Sequence, residues 1–286
     1  MSVAALLLSD SRFPAGGHAH SGGVEPAVTA GTVSDLASLD AFLRGRLRTA
    51  GLVAAGLAAA ACMRAGRTAS ATTAETDVAA VPGPDRPIGL GAGPGNGDQR
   101  VVPGEGFDFW DEIDAEADAR TPSQAQRGAS RRQGRALLRA ARVAWPDDGG
   151  LAGLAASSGA MAAGGGARTA GGGGGASAEY PGGPHHAVVL GVAAAAAGCD
   201  AAAAARIAAY QSVAGAASAA VRLLALDPMR ATALLARLAP DIDHVAECAA
   251  AAAADGPLDE LPCPSAPALD LLAEAHIRAE VRLFES

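Results

Sequence analysis

The sequence predicts an all-α protein, a single-domain helical bundle of about eight to ten helices. Hydrophobic residues make up 50% of the 286 residues but aromatic residues only 3%, and most of the apolar residues are alanine. Alanine has the highest helix propensity, and the β-branched residues that favour strands are comparatively scarce. No stretch alternates apolar and polar residues for long enough to predict a strand. An alanine-rich interior also predicts helices that approach one another closely.

Capping signals place the helices of the first half. Ser34 is a candidate N-cap for a helix with one apolar stripe, and a second helix over about 50–64 follows almost without a break. An acidic helix is expected near 107–119. Thr121-Pro122 is typical of an N-cap and first helical position, and it predicts a long helix that reaches Trp145. The apolar stripe of the first of these helices consists of Leu36, Leu39, Leu43 and Leu47.

Capping signals also place the helices of the second half of the chain. Gly198 is expected to end one helix, and Asp200 to cap the next. Asp227-Pro228 again has the pattern of an N-cap followed by proline at the first helical position. A final amphipathic helix closes the chain. The expected helices are about 186–197, 200–226, 227–238, 240–254 and 268–284.

Two low-complexity segments rich in glycine, alanine and proline, about 67–106 and 147–184, interrupt the helical pattern. Both have few large apolar side chains whose burial would offset the entropy lost on ordering. We therefore expect two flexible insertions within one domain that spans 1–286.

Composition excludes several classes of function. All 22 basic residues are arginine, so chemistry that needs a lysine is excluded. The net charge of −8 argues against nucleic acid as a partner. The apolar stretch 50–63 is too short to span a bilayer, and the start of the chain does not resemble a signal peptide. We expect a cytoplasmic protein, because the cysteines are scattered without metal-knuckle or disulfide spacing. They are Cys62, Cys199, Cys248 and Cys263.

The segment Pro14–Glu25 differs most from the rest of the chain, with four glycines, two histidines, a serine and a glutamate. Glycines at this density indicate a loop or a backbone that approaches another group closely. His18 and His20 are weak candidates for metal ligands, with Glu25 as the nearest carboxylate. No catalytic residue is predicted, because no nucleophile has a recognisable base and carboxylate beside it in the sequence.

A second candidate for chemistry is an acidic cluster in which Asp108, Asp111 and Glu112 share one helix face. The other members of this cluster are Glu105, Asp114, Glu116 and Asp118. Helical enzymes hold Mg²⁺ with such carboxylates, but they normally need a second acidic set across a pocket. The later candidates, Asp243 and Glu247, are sparse. A solvated helix face is therefore the favoured interpretation.

Four segments carry a family likeness. Phe13–Glu25 contains a proline, a glycine pair and a histidine–serine pair followed by glycine, an aliphatic residue and glutamate. Ala129–Leu138 contains a serine, a glutamine–glycine pair and two leucines, and Pro184–Gly191 and Arg278–Ser286 follow later in the chain. In this order they resemble the motifs of the urease accessory protein UreF family. The chain departs from that pattern at His18, where the family has an aromatic residue, and at the second glycine of Gly22-Gly23.

The resemblance implies a protein that is not an enzyme. Proteins of this family dimerise and bridge the accessory protein UreD, also called UreH, to the nickel-carrying GTPase UreG, so that nickel reaches the urease apoprotein. It implies no resident cofactor, with nickel bound at most transiently. The residues that it implies for partner binding are Pro14, Gly16, Gly17, His18, His20, Ser21, Gly22, Glu25, Ser130, Gln133, Gly134, Arg282 and Phe284.

Alternatives stay open at this point. The chain could be a nickel-binding metallochaperone that uses His18 and His20, or a helical Mg²⁺-dependent enzyme. The amphipathic C-terminal helix could dock into a groove of a partner, with Arg282 pairing to a carboxylate, or it could pack on the core of its own chain.

Overall fold

The computed structural model describes residues 3–10, 13, 20–78, 105–164, 182–279 and 283–284. It is all-α, as predicted, and the described residues contain no strand. A π-helical turn, Leu47–Gly51, joins the third and fourth helices into one continuous rod, and a 3₁₀ turn precedes the last helix. The helices are α1 Val3–Ser9, α2 Val24–Thr29, α3 Leu36–Arg46, α4 Leu52–Val78, α5 Glu105–Ala119, α6 Gln124–Ala144, α7 Gly149–Gly164, α8 His186–Ala196, α9 Ala201–Leu224, α10 Pro228–Asp255 and α11 Pro267–Ile277.

Two helix starts differ from the sequence prediction by one or two residues. Asp35, not Ser34, is the N-cap of α3, because its carboxylate accepts a hydrogen bond from the Ser38 backbone N–H at 2.8 Å and Ser38 completes a capping box. Ser123, not Thr121, caps α6, and its hydroxyl accepts from the third residue of the helix. In each case the residue that caps is the one whose oxygen reaches an unpaired N–H group.

The second half follows the predicted caps but not all the predicted ends. Asp200 and Asp227 cap α9 and α10 as expected. The prediction of a helix boundary at Pro240 was wrong, because α10 continues through this proline to Asp255. Proline removes one helical hydrogen bond, and the burial of α10 residues on both sides of it offsets that loss. The last helix ends at Ile277, before the predicted residue 284.

Both expected loops are partly helical. Helix α4 extends to Val78, and α7 lies inside the segment predicted as a loop. The Asp148 carboxylate accepts from the Leu151 N–H at 2.8 Å, and Leu151 and Leu154 are each 1% exposed. Two buried leucines are thus enough to order an otherwise small-residue helix. The rest of the predicted loops, 79–104 and 165–181, lies outside the described residues.

Helix α4 lies at the centre of the core and packs against α8, α9 and α10. The helices approach closely because small residues separate them, as the alanine content predicts. At Gly191 of α8 an added Cβ would lie 2.2 Å from the carbonyl oxygen of Ala58 in α4. At Gly134 of α6 it would lie 2.0 Å from the carbonyl oxygen of Pro184, just before α8. Both contacts are backbone against backbone, so neither neighbour can move aside cheaply.

Two helical stretches, Leu36–Arg67 and Ala201–Leu224, are long and apolar enough to cross a membrane by length and composition alone. In their most apolar windows 56% and 44% of the residues are buried inside the fold. Core helices of other proteins pass the same test, so this is weak evidence for membrane insertion.

Substitution of Gly191 by alanine is expected to destabilise the fold by about 1–3 kcal/mol or more, because the new methyl group meets the α4 backbone. Gly45→Ala is the matched control, since nothing lies within 4 Å of a Cβ at this exposed helical position. It should be neutral or stabilise by up to about 1 kcal/mol. Urea denaturation of both variants measures the difference, and equal stabilities would contradict the close approach of α8 to α4.

Candidate functional site

Three of the four motif segments meet at one cavity of about 880 Å³. Its walls are formed by residues of α1, α3, α4, α5, α6, α8, α9, α10 and α11 together with the residues before α2. Residues far apart in sequence therefore share one site. The lining residues that come from the motif segments are Phe13, His20, Gly22, Gly23, Ala129, Ser130, Gln133, His185, His186, Ala187 and Leu190.

A buried polar network fixes the start of α8 beside this cavity. His185 is 2% exposed, and its backbone N–H donates to the Asp114 carboxylate at 3.1 Å. The next N–H, that of His186, donates to the Ser130 hydroxyl at 3.2 Å. The His185 ring lies 3.0 Å from Ser130 through Nδ1 and 2.8 Å from Asp118 through Nε2. The network satisfies N–H groups that the first turn of a helix leaves unpaired.

Arg131 supplies the positive charge of this network. Its Nη2 atom lies 2.8 Å from carboxylate oxygens of both Asp114 and Asp118. Partial burial acts to raise the pKa of Asp118, but the hydrogen bond from His185 and the charge of Arg131 outweigh it, so this pKa lies below its usual range. The expectation of a solvated acidic face was wrong for Asp114, which is only 4% exposed. Asp111 is exposed, as that expectation requires.

Ser130, His185 and Asp118 form a serine–histidine–aspartate chain that the sequence analysis missed, and its order resembles that of a hydrolytic triad. A triad also needs N–H groups that point at a developing oxyanion. Here the two N–H groups nearest the serine, those of His185 and His186, already bind Asp114 and Ser130. The serine hydroxyl therefore acts as an acceptor in a helix cap.

The same cluster is a geometric candidate for a metal site. One ligand atom from each of Asp114, Asp118 and His185 lies within 4.8 Å of the others, and this is the only such group of three among the described residues. Arg131 already bridges the two carboxylates and compensates one of their two negative charges. A cation would have to displace the guanidinium, so the cluster fits a structural network better than a metal site.

The N-terminal segment reaches the cavity through two glycines in left-handed conformations. Gly22 has φ 60° and Gly23, the N-cap of α2, has φ 86°. A Cβ on Gly22 would lie 3.2 Å from the guanidinium of Arg46. Arg46 donates to the Ser212 carbonyl at 2.7 Å, and burial lowers its pKa to about 10. Glycine at these positions therefore serves both the turn and the close approach of a partly buried arginine.

Glu25 connects the two ends of the chain. Its carboxylate oxygens accept from the backbone N–H groups of Leu283 at 2.7 Å and Phe284 at 2.9 Å. His276 lies 3.1 Å from the Phe284 carbonyl oxygen and 3.5 Å from Glu25. The guanidinium of Arg222 lies 4.3 Å from the centre of the Phe284 ring. We call these contacts of Glu25, His276 and Arg222 with Leu283 and Phe284 the terminal clasp.

The residues predicted for partner binding therefore lie in different environments, and only some of them border the cavity. Ser21 is fully buried, and its hydroxyl has no hydrogen-bond partner among the described residues. Glu25 is engaged inside the terminal clasp, and Gly134 allows the close approach of α8. His20 and Gln133 border the cavity. Pro14, Gly16, Gly17, His18 and Arg282 lie outside the described residues.

Several residues of the site were missed by sequence reasoning. Asp114 and Asp118 are four residues apart, so their shared helix face was a signal that could have been followed. His276 and Arg222 gave no such signal, because Glu25 lies far from His276 in the sequence and Phe284 lies far from Arg222.

Together the fold and the site define an all-α protein whose N- and C-terminal motifs contact each other next to a cavity that is open to solvent. The profile of the family described as UreF matches residues 33–239. A urease accessory protein UreF of Mycolicibacterium vanbaalenii is 39% identical over 281 residues, which cover 98% of this chain and 97% of the relative. The protein of the same name from Mycobacterium sp. strain JLS is 38% identical over 282 residues, with 98% and 97% covered. That of Mycobacterium tuberculosis strain H37Rv is 41% identical over 149 residues, 52% of this chain and 51% of the relative. The chain belongs to the UreF family.

Replacement of Glu25 by glutamine is expected to loosen the terminal clasp. The amide keeps the shape but retains one acceptor oxygen for two N–H donors, which costs about 1–3 kcal/mol. Hydrogen exchange at the Leu283 and Phe284 amides should become faster, and the free energy of unfolding should fall. Glu112→Gln, at an exposed position of α5, is the control and should change neither quantity. Unchanged protection in Glu25→Gln would contradict the clasp.

A pH dependence is expected from His186. Desolvation lowers its pKa to about 4, and the charge of His20 acts in the same direction. The unfolded chain, with a histidine pKa near ~6.5, binds this proton first, so the folded state loses stability as the pH falls from about 6.5 to 4. The loss is at most about 3 kcal/mol. Urea unfolding of His186→Gln measured across that pH range should lack this part of the pH dependence of the free energy of unfolding. The same pH dependence in His186→Gln and in the unmodified chain would contradict the burial of a neutral imidazole.

Proposed function

We propose that this chain is a non-catalytic urease maturation factor. It acts as a homodimeric adaptor that bridges a UreD/UreH-like protein and a UreG-like GTPase, so that nickel is delivered to the urease apoprotein in the cytoplasm. Membership of the UreF family and the printed names of the relatives support the urease accessory role. The particular partners follow from the motifs that resemble this family.

The terminal clasp is the observation that carries the adaptor proposal. It holds Leu283 and Phe284 beside Glu25 of the N-terminal motif, through two backbone hydrogen bonds to one buried carboxylate. Leu283 is 73% exposed even so. An ordered backbone that presents an exposed apolar side chain is well suited to bind another protein, because little entropy is lost on docking.

The absence of catalysis in the proposal is supported by the polar network at α8. The described residues that come closest to a catalytic arrangement, Ser130, His185 and Asp118, are used to cap a helix. Arg46 and His186 both line the cavity, and desolvation lowers the pKa of His186 to about 4, so its imidazole is neutral near pH 7. These features favour a structural role over proton transfer.

A metallochaperone is the second candidate function. It is favoured by the position of His20 close to His186, at the rim of the same cavity. Calorimetry with Ni²⁺ distinguishes the two candidates. An unchanged affinity in the double variant His18→Ala/His20→Ala would remove this alternative.

Substitution of Leu283 by aspartate should weaken capture of the UreD/UreH-like protein by about tenfold or more, because an apolar contact at the centre of a partner surface is lost. Val143→Asp is the matched control, since Val143 is 83% exposed at the far end of α6. Both changes are at exposed positions, so the fold should be retained. Co-purification and size-exclusion chromatography with the two accessory proteins measure the outcome. Equal capture by both variants, or no capture by the unmodified chain, would contradict the proposal.

A further inference from the structure

A cysteine and a histidine form a pair on the exposed face of α10. His244 and Cys248 are separated by one helical turn, and both are exposed. The Sγ atom of Cys248 lies 3.7 Å from Nε2 of His244. This pair lies outside the cavity and outside the terminal clasp, and the sequence motifs of the family likeness do not include it.

The spacing matches what a shared metal ion requires. Zinc binds a cysteine sulfur at about 2.3 Å and a histidine nitrogen at about 2.0–2.1 Å in tetrahedral geometry. Two such bonds at a tetrahedral angle place the sulfur and the nitrogen about 3.6 Å apart. The observed separation of 3.7 Å matches this span. Thiolate and imidazole together favour borderline-soft divalent cations such as Ni²⁺, Co²⁺ and Zn²⁺ over Mg²⁺ or Ca²⁺.

The surroundings of the pair also favour a cation. Val245 and Ala249 of the same turn are buried, so the backbone that carries both ligands is held against the core. Glu247 is exposed directly before Cys248, and within the described residues it forms no ion pair. The neighbouring Asp243, by contrast, is paired with Arg206 at 2.6 Å. The pair thus has one uncompensated carboxylate beside it.

Cys248 is also distinguished from the other cysteines. Desolvation raises the pKa of the buried Cys62 thiol to about 12, which disfavours the thiolate that binds metals. The pKa of Cys199 is raised for the same reason. Cys263 is exposed like Cys248, but no imidazole is recorded within hydrogen-bond reach of it among the described residues.

We propose that His244 and Cys248 form a surface site for a borderline-soft divalent cation. The chain supplies two ligands, and water or a ligand from another protein completes the coordination. Two ligands on an open surface give an exchangeable site and not a structural one. This gives the chain a metal contact of its own, separate from His18 and His20, and it does not depend on which proteins the chain binds.

The test is a titration of the full chain with Co²⁺ under reducing conditions, because a thiolate-to-cobalt charge-transfer band reports the sulfur ligand directly. The unmodified chain should show a saturable band at one Co²⁺ per chain. Cys248→Ser should abolish this band, and His244→Ala should raise the Kd by about tenfold or more, since loss of a ligand costs at least as much as loss of its supporting contacts. Cys263→Ser should leave the titration unchanged.

Three results would overturn the proposal: no band in the unmodified chain, a band that persists in Cys248→Ser, or a Kd that His244→Ala does not change. Circular dichroism checks that each variant is folded, which the exposed positions favour. The accessory proteins are not present in this experiment, so its failure would leave the adaptor proposal standing.

Discussion

The structure depends on two places where α8 and the residues just before it approach α4 and α6 with no side chain between the backbones. Gly191 brings α8 against the α4 carbonyl of Ala58, and Gly134 brings α6 against the carbonyl of Pro184. No other residue fits at either contact, because a Cβ would lie about 2 Å from an oxygen atom at both. The side chains of an alanine-rich core are too small to adjust to a change in the distance between helices. These two backbone contacts therefore set the spacing of the helices in the bundle.

The position of α8 then determines the site. Its first turn brings His185 to the carboxylates of α5 and the hydroxyl of Ser130, and His186 to the wall of the cavity. Gly22, before α2, makes room for the partly buried guanidinium of Arg46, which lines the same cavity. Glu25 follows directly and binds the end of the chain. Leu283 and Phe284 are thereby held beside the residues that line the cavity before α2, which is the geometric basis of the adaptor proposal.

Local features of the sequence predicted the fold well. The site was not predicted, because it depends on contacts between residues that are far apart in the sequence. The leucine stripe of α3 and the caps Asp200 and Asp227 depend only on neighbouring residues, so propensity and periodicity found them. The helix α7 was missed because its composition is glycine and alanine, and its stability comes from tertiary burial of two leucines. The bond between Asp118 and His185 joins residues 67 positions apart, and no local pattern contains that information.

The central claim is that this chain is needed for urease to mature and does not itself catalyse a reaction. The most direct measurement is urease activity and nickel content in cells that lack the chain but make normal amounts of the urease subunits. The account predicts urease that is assembled, poor in nickel and inactive, with activity restored by the unmodified chain. Fully nickel-loaded, active urease in the absence of the chain would contradict it.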